Sequence, residues 1–283
     1  MSDVHERGAR HWFVTGASGG IGRHIVEHAL REGDHVTATV RRSDVLDDLR
    51  HGYGDRLAVE VLDLGQPARV EEVIARTVAA RPVDVVVNNA GYVVVGAAEE
   101  MTPEQIRDQL EVLLIAPMLV TRAFLAPMRE QGGGRIIQIS SMGGQTSVPT
   151  HSSYHAGKWG LEGFTESVAA EVADFGIRLT IVEPGGTRTG FLTGMQFTEE
   201  SEPYRDTAVG NVRRSLTEAD ASSMTGDPRK IAALVYETTR QAEPPIRLTL
   251  GADSYEHVHE ALSTRLAALE AQRAVAGSVA FDE

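Results

Sequence analysis

The sequence predicts an α/β protein in which one parallel sheet of about seven strands carries helices on both faces. Short apolar segments alternate with helical ones along the 283 residues. One apolar segment, at 83–91, contains the β-branched run Val85 to Val87, which is typical of a strand covered on both faces. The length suits one large α/β domain or two small ones, and we see no long linker between two parts. We therefore expect a single doubly wound domain over residues 1–283.

The predicted strands are short, and the first, HWFVTG at 11–16, runs into a glycine-rich turn. The others lie at 35–40, 57–64, 83–91, 135–141, 178–186 and 246–251. In such a sheet, ligands bind beyond the carboxyl ends of the strands, where the strand order reverses. Functional residues are therefore expected at these ends.

The helices are predicted from apolar residues at helical spacing. The first covers 21–33, a long helical region follows Pro103 with Thr102 as its N-cap, and another covers 153–174. Val258, Leu262, Leu266 and Leu269 mark a last helix inside a C-terminal helical extension at 252–283. An apolar stripe of this kind is more often core or dimer packing than a lipid-binding face. A homo-oligomer, either a dimer or a tetramer, is expected.

Composition excludes several classes of function. A net charge of -13 disfavours sequence-independent nucleic-acid binding, which depends on Lys and Arg. Without cysteine there is neither a disulfide nor a thiolate metal site, and no metal site is expected. No apolar run reaches about 18 residues, so no membrane-spanning helix is expected. The polar start MSDVHERGAR lacks an apolar signal core, so a cytoplasmic location is expected.

The first strand runs into TGASGGIG, residues 15–22. Glycines between a strand and a helix permit a tight turn and let backbone amides approach a phosphate at the helix N-terminus. The spacing differs from the dinucleotide fingerprint G-x-G-x-x-G and lacks the Gly-Lys-Ser/Thr of a P-loop. A nucleotide-binding loop and a plain glycine-rich turn both remain open. The candidate cofactor-binding residues here are Gly16, Ser18, Gly20, Ile21 and Gly22.

The end of the second strand bears on the choice of cofactor. Dinucleotide folds usually place an acidic residue there for the adenosine ribose. This chain has Val40, followed by Arg41 and Arg42. An arginine can pair with a 2′-phosphate, so we infer NADP(H) over NAD(H), with Arg41 as the chief partner. The alternative is that both arginines only face solvent.

The third strand ends in Asp63 and Leu64, which are both candidate cofactor-binding residues. Asp63 is a candidate acceptor for the adenine amino group, or else a turn aspartate that caps its own backbone.

Tyr154 and Lys158 lie four residues apart, on one face of the predicted helix. The chain has only two lysines against 25 arginines. An ammonium beside a phenol lowers the phenol's pKa of about 10 toward neutrality. Ser141 ends the fifth predicted strand, and its hydroxyl is suited to hold a substrate carbonyl oxygen next to the phenol. Taken alone, the Tyr-x-x-x-Lys pair is also compatible with a solvated helix face.

Together, the motifs resemble the short-chain dehydrogenase/reductase family, of compact Rossmann type. The matching segments stand in family order from about residue 11 to 251. They are TGASGGIG, NNAG at 88–91, ISS at 139–141, YHAGK at 154–158 and PGGTRT at 184–189.

The resemblance implies a role for each matching residue. Tyr154 is the general acid/base, Lys158 binds the nicotinamide ribose and lowers the tyrosine pKa, and Ser141 orients the substrate oxygen. Asn89, Ala90 and Gly91 line the adenosine ribose side. The loop formed by Pro184, Gly185, Thr187 and Thr189 holds the carboxamide.

Three residues near the tyrosine raise separate questions. Many relatives have an asparagine in the long helix, where it helps hold a water in a proton relay; this chain has Leu113. The relay then uses other groups, or the proton route is altered, or turnover is slow. His155 is expected to contact only solvent. His151 is a candidate substrate contact, although a loop histidine without a ligand is favoured.

The segment 190–225 is long and is predicted to be a substrate loop or lid. Phe191 lies in it, and Tyr92 and Met142 are candidates for the opposite wall. The expected function is hydride transfer between NADP(H) and a ketone or secondary alcohol of a medium-sized hydrophobic molecule. One alternative is an NADP(H)-binding regulator with little catalysis, supported by Leu113. Another is a sugar-nucleotide epimerase or dehydratase, which the compact length and the NNAG segment disfavour.

Overall fold

A computed structural model describes residues 8–281; the polar start at 1–7 and the last two residues of the C-terminal extension lie outside them. Seven parallel strands form the main sheet, and β5 and β8 pair with each other. The strands are β1 His11–Val14, β2 His35–Val40, β3 Leu57–Val61, β4 Val85–Asn88, β5 Val94–Val95, β6 Gly134–Ile139, β7 Ile177–Pro184, β8 Gln196–Phe197 and β9 Arg247–Leu250.

The strand order in the main sheet is β3-β2-β1-β4-β6-β7-β9. The order reverses between β1 and β4, which pair directly with Trp12 opposite Val85. Both strands therefore end at the same edge of the sheet, the place where doubly wound folds bind ligands. The predicted fold class is confirmed.

Helices cover both faces of the sheet. They are α1 Gly20–Arg31, α2 Asp47–Tyr53, α3 Pro67–Ala80, α4 Pro103–Leu110, α5 Ala116–Glu130, α6 Ser152–Val172, α7 Ala208–Glu218, α8 Pro228–Thr238, α9 Ala252–Glu270 and α10 Arg273–Gly277. One core packs α1, α2 and α8 against the sheet, and the other packs α3, α5 and α6 against its opposite face. The two cores explain why the central strands are apolar on both sides.

The predicted strands are located correctly, but several extend too far at the carboxyl end. The first strand ends at Val14 rather than residue 16, the third at Val61 rather than 64, and the fourth at Asn88 rather than 91. The residues beyond these ends form the turns that carry the site. Thr102 caps α4 as predicted, because its side chain accepts a hydrogen bond from the Gln105 amide at 3.2 Å.

A π-helical turn, Glu111–Ile115, joins α4 to α5. The resulting helix, Pro103–Glu130, is long and apolar enough to cross a bilayer by length and composition, contrary to the sequence expectation. A third of its most apolar stretch is buried inside the protein. The buried side chains include Val120, Phe124 and Met128, which pack in the second core. One face of the helix therefore packs in the second core.

The predicted lid at 190–225 is more ordered in backbone structure than its sequence indicates. It contains β8, paired in parallel with β5, and the helix α7. Arg213 of α7 pairs with Glu100, whose side chain is almost completely buried. Hydrogen bonds from Ser201 and Ala97 hold the pKa of Glu100 at about 2, against the opposing effect of burial. The segment is therefore fastened to the body of the protein.

The C-terminal extension begins with α9, and of its predicted apolar stripe only Val258 is buried. Leu262, Leu266 and Leu269 are exposed in the single chain. The stripe therefore does not belong to the core of this chain.

Candidate active site

The glycine loop connects β1 to α1 at the reversal of strand order. Gly16 and Gly20 adopt positive φ angles of 64° and 54°, the left-handed region that favours glycine. A Cβ at Gly16 would lie 2.6 Å from Ala90 Cα, and one at Gly22 would lie 2.7 Å from Gly16 O. The loop is therefore too tight for larger residues at these positions. Ser18 is exposed on the loop and Ile21 is half-buried against the first core.

Asn89 and Thr15 hold this loop in place. The Asn89 side-chain amide donates to the carbonyls of Thr15 and Gly16, both at 3.0 Å. The Thr15 hydroxyl accepts from the amides of Asn89 and Ala90 at 2.9 and 3.2 Å. Asn89 thus joins the ends of β1 and β4.

The loop after β7 reaches the same place. A Cβ on Gly20 would lie 3.3 Å from Thr189 Cβ, so the two loops are in contact. After Pro184, the Gly185 amide donates to Leu250 O at 2.9 Å, and the Thr187 hydroxyl donates to Gly185 O at 2.9 Å. These bonds fix the PGGTRT segment over the glycine loop.

The two arginines after β2 differ in their surroundings. Arg42 pairs with Asp44 at 2.8 Å, and both are exposed. Arg41 is also exposed, and it makes no hydrogen bond or ion pair with any residue among 8–281. Arg41 is therefore the arginine available to an outside anion.

Asp63 takes the turn role at the end of the third predicted strand. Its carboxylate accepts from the Gly65 amide at 3.0 Å, as in an aspartate that caps its own turn. The side chain is exposed, whereas the adjacent Leu64 is buried in the second core.

Ser141, Tyr154 and Lys158 come together at the carboxyl end of β6. Ser141 follows this strand, and its hydroxyl accepts from the Gly143 amide at 3.0 Å. Tyr154 lies in the first turn of α6 and is 8% exposed. Burial raises the pKa of Tyr154, and a hydrogen bond with Ser141 partly offsets that effect. The phenol is therefore held in its protonated form.

Lys158 is 4% exposed, one turn after Tyr154. Its Nζ donates to Ile139 O at 2.7 Å and lies 5.8 Å from the centre of the Tyr154 ring. Burial lowers the pKa of Lys158 to about 8, and the charge of Glu162 opposes this shift. The expected lowering of the tyrosine pKa is not present in the chain by itself, because burial raises this pKa and the hydrogen bond with Ser141 only partly opposes the rise.

Leu113 lies in the π-helical turn and is buried against the site. It forms an apolar cluster with Val93, Val95 and Tyr154. A Cβ at Gly91 would lie 3.0 Å from Leu113 Cδ2 and 4.0 Å from Lys158 Nζ. Leu113 therefore occupies the region beside the lysine with a side chain that cannot hydrogen-bond.

The histidines flank the tyrosine in different ways. The sequence predicts that His155 contacts only solvent, and this prediction is wrong. Its Nδ1 donates to Gly143 O at 2.8 Å, and its Nε2 accepts from the Val148 amide at 3.0 Å. It therefore braces the loop after Ser141.

His151 makes an edge contact with the Tyr154 ring at 6.1 Å between ring centres. Burial lowers the pKa of His151 to about 4, so it is neutral near pH 7.

Of the three candidate wall residues, Phe191 contacts the Tyr154 ring. The Phe191 ring lies edge-on to Tyr154 with ring centres 6.2 Å apart, and the side chain is 39% exposed. Met142 is half-buried directly after Ser141. Tyr92 is half-buried after Gly91, and its carbonyl accepts from Gln109 at 3.2 Å.

Sequence reasoning missed a buried ionic cluster behind the site, formed by Glu162, Glu183 and Arg247. The signal was present for one member only. Glu162 continues the four-residue spacing of Tyr154 and Lys158 along one helix face.

The residues present fit a nicotinamide dinucleotide. The helix α1 begins with no side-chain cap and no acidic residue in its first turn, so its amides are available to a phosphate. The glycine loop leaves no room for a Cβ at Gly16 or Gly22. Ser141 and Tyr154 lie across the same sheet edge.

Comparison with known proteins identifies the family. The model of the short chain dehydrogenases matches residues 10–200. The oxidoreductase BOA17 of Botryotinia fuckeliana (strain B05.10) is 38% identical over 259 residues, covering 88% of this chain and 92% of that protein. The 3-ketodihydrosphingosine reductase of Bacteroides thetaiotaomicron is 30% identical over 244 residues, with coverage of 84% and 86%. The chain belongs to the short-chain dehydrogenase/reductase family and is an oxidoreductase.

Two solved structures extend the comparison. A short-chain dehydrogenase from Streptomyces avermitilis is 39% identical with a TM-score of 0.89, covering 97% of this chain and all of that chain (100%). A metagenomic short-chain oxidoreductase in complex with NADP is 28% identical with a TM-score of 0.65, covering 85% and 98%. The NADP in the second of these structures supports a nicotinamide cofactor for this chain.

We predict that Gly16→Ala weakens NADPH binding by about tenfold or more, because a left-handed residue with a Cβ against Ala90 strains the loop by roughly 1–3 kcal/mol. Binding is measured by the fluorescence change of NADPH. The control is Gly19→Ala, since Gly19 has an extended backbone and open space around its Cβ position. Equal affinity of the two variants would contradict the assigned loop.

Proposed function

We propose that the protein is an NADP(H)-dependent oxidoreductase that transfers a hydride between the nicotinamide and a ketone or secondary alcohol. The observation that carries this proposal is the meeting of Ser141, Tyr154 and Lys158 beside the glycine loop, at the edge where the strand order reverses. A phenol, a hydroxyl and a cation at a nucleotide-binding edge are the groups that carbonyl reduction requires from a protein.

Tyr154 is the proton donor for reduction in this proposal. Its burial favours the neutral phenol, so the proton is in place at neutral pH. Ser141 lowers the pKa of the phenol, against the effect of burial, and its hydroxyl can donate to a substrate carbonyl oxygen. When bound, the nicotinamide supplies or accepts the hydride. The protein then aligns the carbonyl and completes one proton transfer.

Lys158 holds a positive charge in the buried part of the site. Its bond to Ile139 O uses one of three ammonium donors, which leaves two for a ribose or the phenol. A positive charge near the phenol stabilises the phenolate that forms when the proton leaves. Lysine is suited to this work because its donors rotate, whereas an arginine fork is planar.

The preference for NADP(H) rests on Arg41. Val40 places no carboxylate at the strand end, and Asp44 neutralises Arg42 rather than Arg41. A guanidinium without a partner among the described residues is suited to a 2′-phosphate, a charge-assisted contact worth roughly 1.5–3 kcal/mol.

The substrate is proposed to be a medium-sized hydrophobic ketone or alcohol. Tyr154 belongs to an apolar cluster with Val93, Val95 and Leu113, and Met195 and Leu216 of the predicted lid pack against it. Phe191 closes the other side of the phenol. The name of the Bacteroides relative gives a keto compound as its substrate, which supports a ketone. An apolar wall beside a proton donor favours such a molecule.

Tyr154→Phe is expected to lower turnover by about 10²–10⁴-fold or more and to leave NADPH binding nearly unchanged, because only the acidic proton is removed. Turnover is followed by NADPH absorbance over a panel of hydrophobic ketones. Tyr255→Phe is the control, since Tyr255 is exposed on α9.

Retained turnover in Tyr154→Phe would defeat the assignment. Wild-type protein that binds NADPH but oxidises none of it across the panel would favour the regulatory alternative. Turnover of sugar nucleotides alone would favour the epimerase or dehydratase alternative.

Arg41→Ala is expected to weaken NADPH binding by about 10- to 100-fold while NADH binding changes little, because only NADPH carries the 2′-phosphate. Both affinities are measured by calorimetry. Arg42→Ala, which removes a guanidinium already paired with Asp44, is the matched control. Equal losses for the two cofactors in Arg41→Ala would rule out the phosphate role.

A further inference from the structure

A cluster of carboxylates lies behind the proposed catalytic residues. Glu162 of α6 and Glu183 of β7 are 2% and 0% exposed, and both contact the guanidinium of Arg247 on β9. Glu166, one turn further along α6, also pairs with Arg247 at 2.9 Å and is half exposed. Buried carboxylates are costly unless paired, and here two of them share one arginine.

Glu162 connects this cluster to the end of β6. Its carboxylate accepts a hydrogen bond from the Ser140 hydroxyl at 2.5 Å. Ser140 lies between Ile139, whose carbonyl binds Lys158, and Ser141. Gly144 makes this contact possible, because a side chain there would meet the Glu162 carboxylate and lie 2.7 Å from the Ser140 hydroxyl.

The helix places the same carboxylate beside the lysine. Tyr154, Lys158 and Glu162 are spaced by four residues, so they form one stripe on the buried face of α6. Along this face of the helix, a phenol is followed by a cation and then by a carboxylate. Two opposing effects act on Lys158: burial disfavours its ammonium form, and the negative charge of Glu162 favours it.

We propose that Glu162 is a positioning residue whose buried carboxylate, fixed by Ser140 and Arg247, keeps the ammonium of Lys158 charged where it binds Ile139 O at the end of β6. This rests on the proposed function for its consequence in catalysis, but the charge state of Lys158 is a property of the protein alone. Without the carboxylate, burial would lower the pKa of Lys158 further, and the lysine would lose its proton at a lower pH.

Other charged and polar groups face Glu162 and must be considered. From α6 these are Tyr154, Lys158 and Glu166. Just after β6 there is Ser140, and β7 and β9 contribute Glu183 and Arg247. Thr249 and Gln145 donate to Glu183 at 2.8 and 2.7 Å. Glu162 is a buried carboxylate four residues from Lys158, whereas Glu166 is eight residues away and half exposed. Glu166 is thus a matched control: it has the same side chain and the same arginine partner.

The test is an NMR titration of protein labelled with ¹³C-lysine, read at the Cε signals. The chain contains two lysines, so Lys230→Arg assigns the signal of Lys158. Glu162→Gln is expected to move the Lys158 midpoint to lower pH. Glu166→Gln and Glu162→Asp, which keep a carboxylate at position 162, are expected to remain at the wild-type midpoint. Circular dichroism checks that each variant is folded.

A folded Glu162→Gln variant with the wild-type midpoint would overturn the proposal. Equal shifts in Glu162→Gln and Glu166→Gln would also overturn it, since the effect would then belong to Arg247. If Glu162→Gln does not fold, the wild-type titration decides. The Lys158 Cε chemical shift must then change a second time at acidic pH, as Glu162 takes up its proton. A chemical shift that stays constant at acidic pH would count against the proposal.

Failure of this proposal and failure of the proposed function give different results. The titration uses no cofactor and no substrate. A shifted midpoint with no turnover on any ketone would leave Glu162 as the residue that holds Lys158 charged and would reject the proposed reaction with ketones at this site. Turnover of ketones together with an unshifted Lys158 midpoint in Glu162→Gln would support the proposed reaction and overturn the role of Glu162.

Discussion

Burial of the Tyr154 and Lys158 side chains next to each other is the constraint on which the site depends. Removal from water opposes both charged forms, so the pKa of the phenol rises while the pKa of the ammonium falls. An acid/base pair in such a place needs fixed partners. The chain provides Ser141 for the phenol, and Ile139 O and Glu162 for the lysine.

The parallel sheet allows these side chains to be buried at an edge that ligands can still reach. The strands β1, β4, β6 and β7 end at one edge, and their turns hold the glycine loop, Asn89, Ser141 and the segment after Pro184. Most side chains of the strands pack in two apolar cores, and the residues just beyond the strands carry most of the site. The strands β7 and β9 also contribute the paired Glu183 and Arg247. Asn89 links two of these turns through its bonds to Thr15 and Gly16.

The sequence predicts the parts of the site that depend on local pattern. Each motif can be recognised within a few residues, as the glycine loop and the spacing of Tyr154 and Lys158 show. The order of the motifs along the chain then predicts the fold and the meeting of Ser141 with Tyr154. Contacts between distant segments are not readable in this way. Two examples join residues far apart in the chain: the pairing of β5 with β8, and the sharing of Arg247 by Glu162 and Glu183. The bracing role of His155 depends instead on the geometry of the turn after Ser141. The raised pKa of Tyr154 follows from burial, which the motif alone does not give.

The measurement that tests this account most directly is the titration of Tyr154 by ¹³Cζ-tyrosine NMR, with and without saturating NADP⁺. The chain has six tyrosines, and Tyr154→Phe assigns the signal. The account predicts a pKa above the ordinary value of about 10 in the protein alone, and a lower pKa when the cationic nicotinamide is bound. A pKa at or below about 10 in the protein alone, or one that NADP⁺ leaves unchanged, would contradict it.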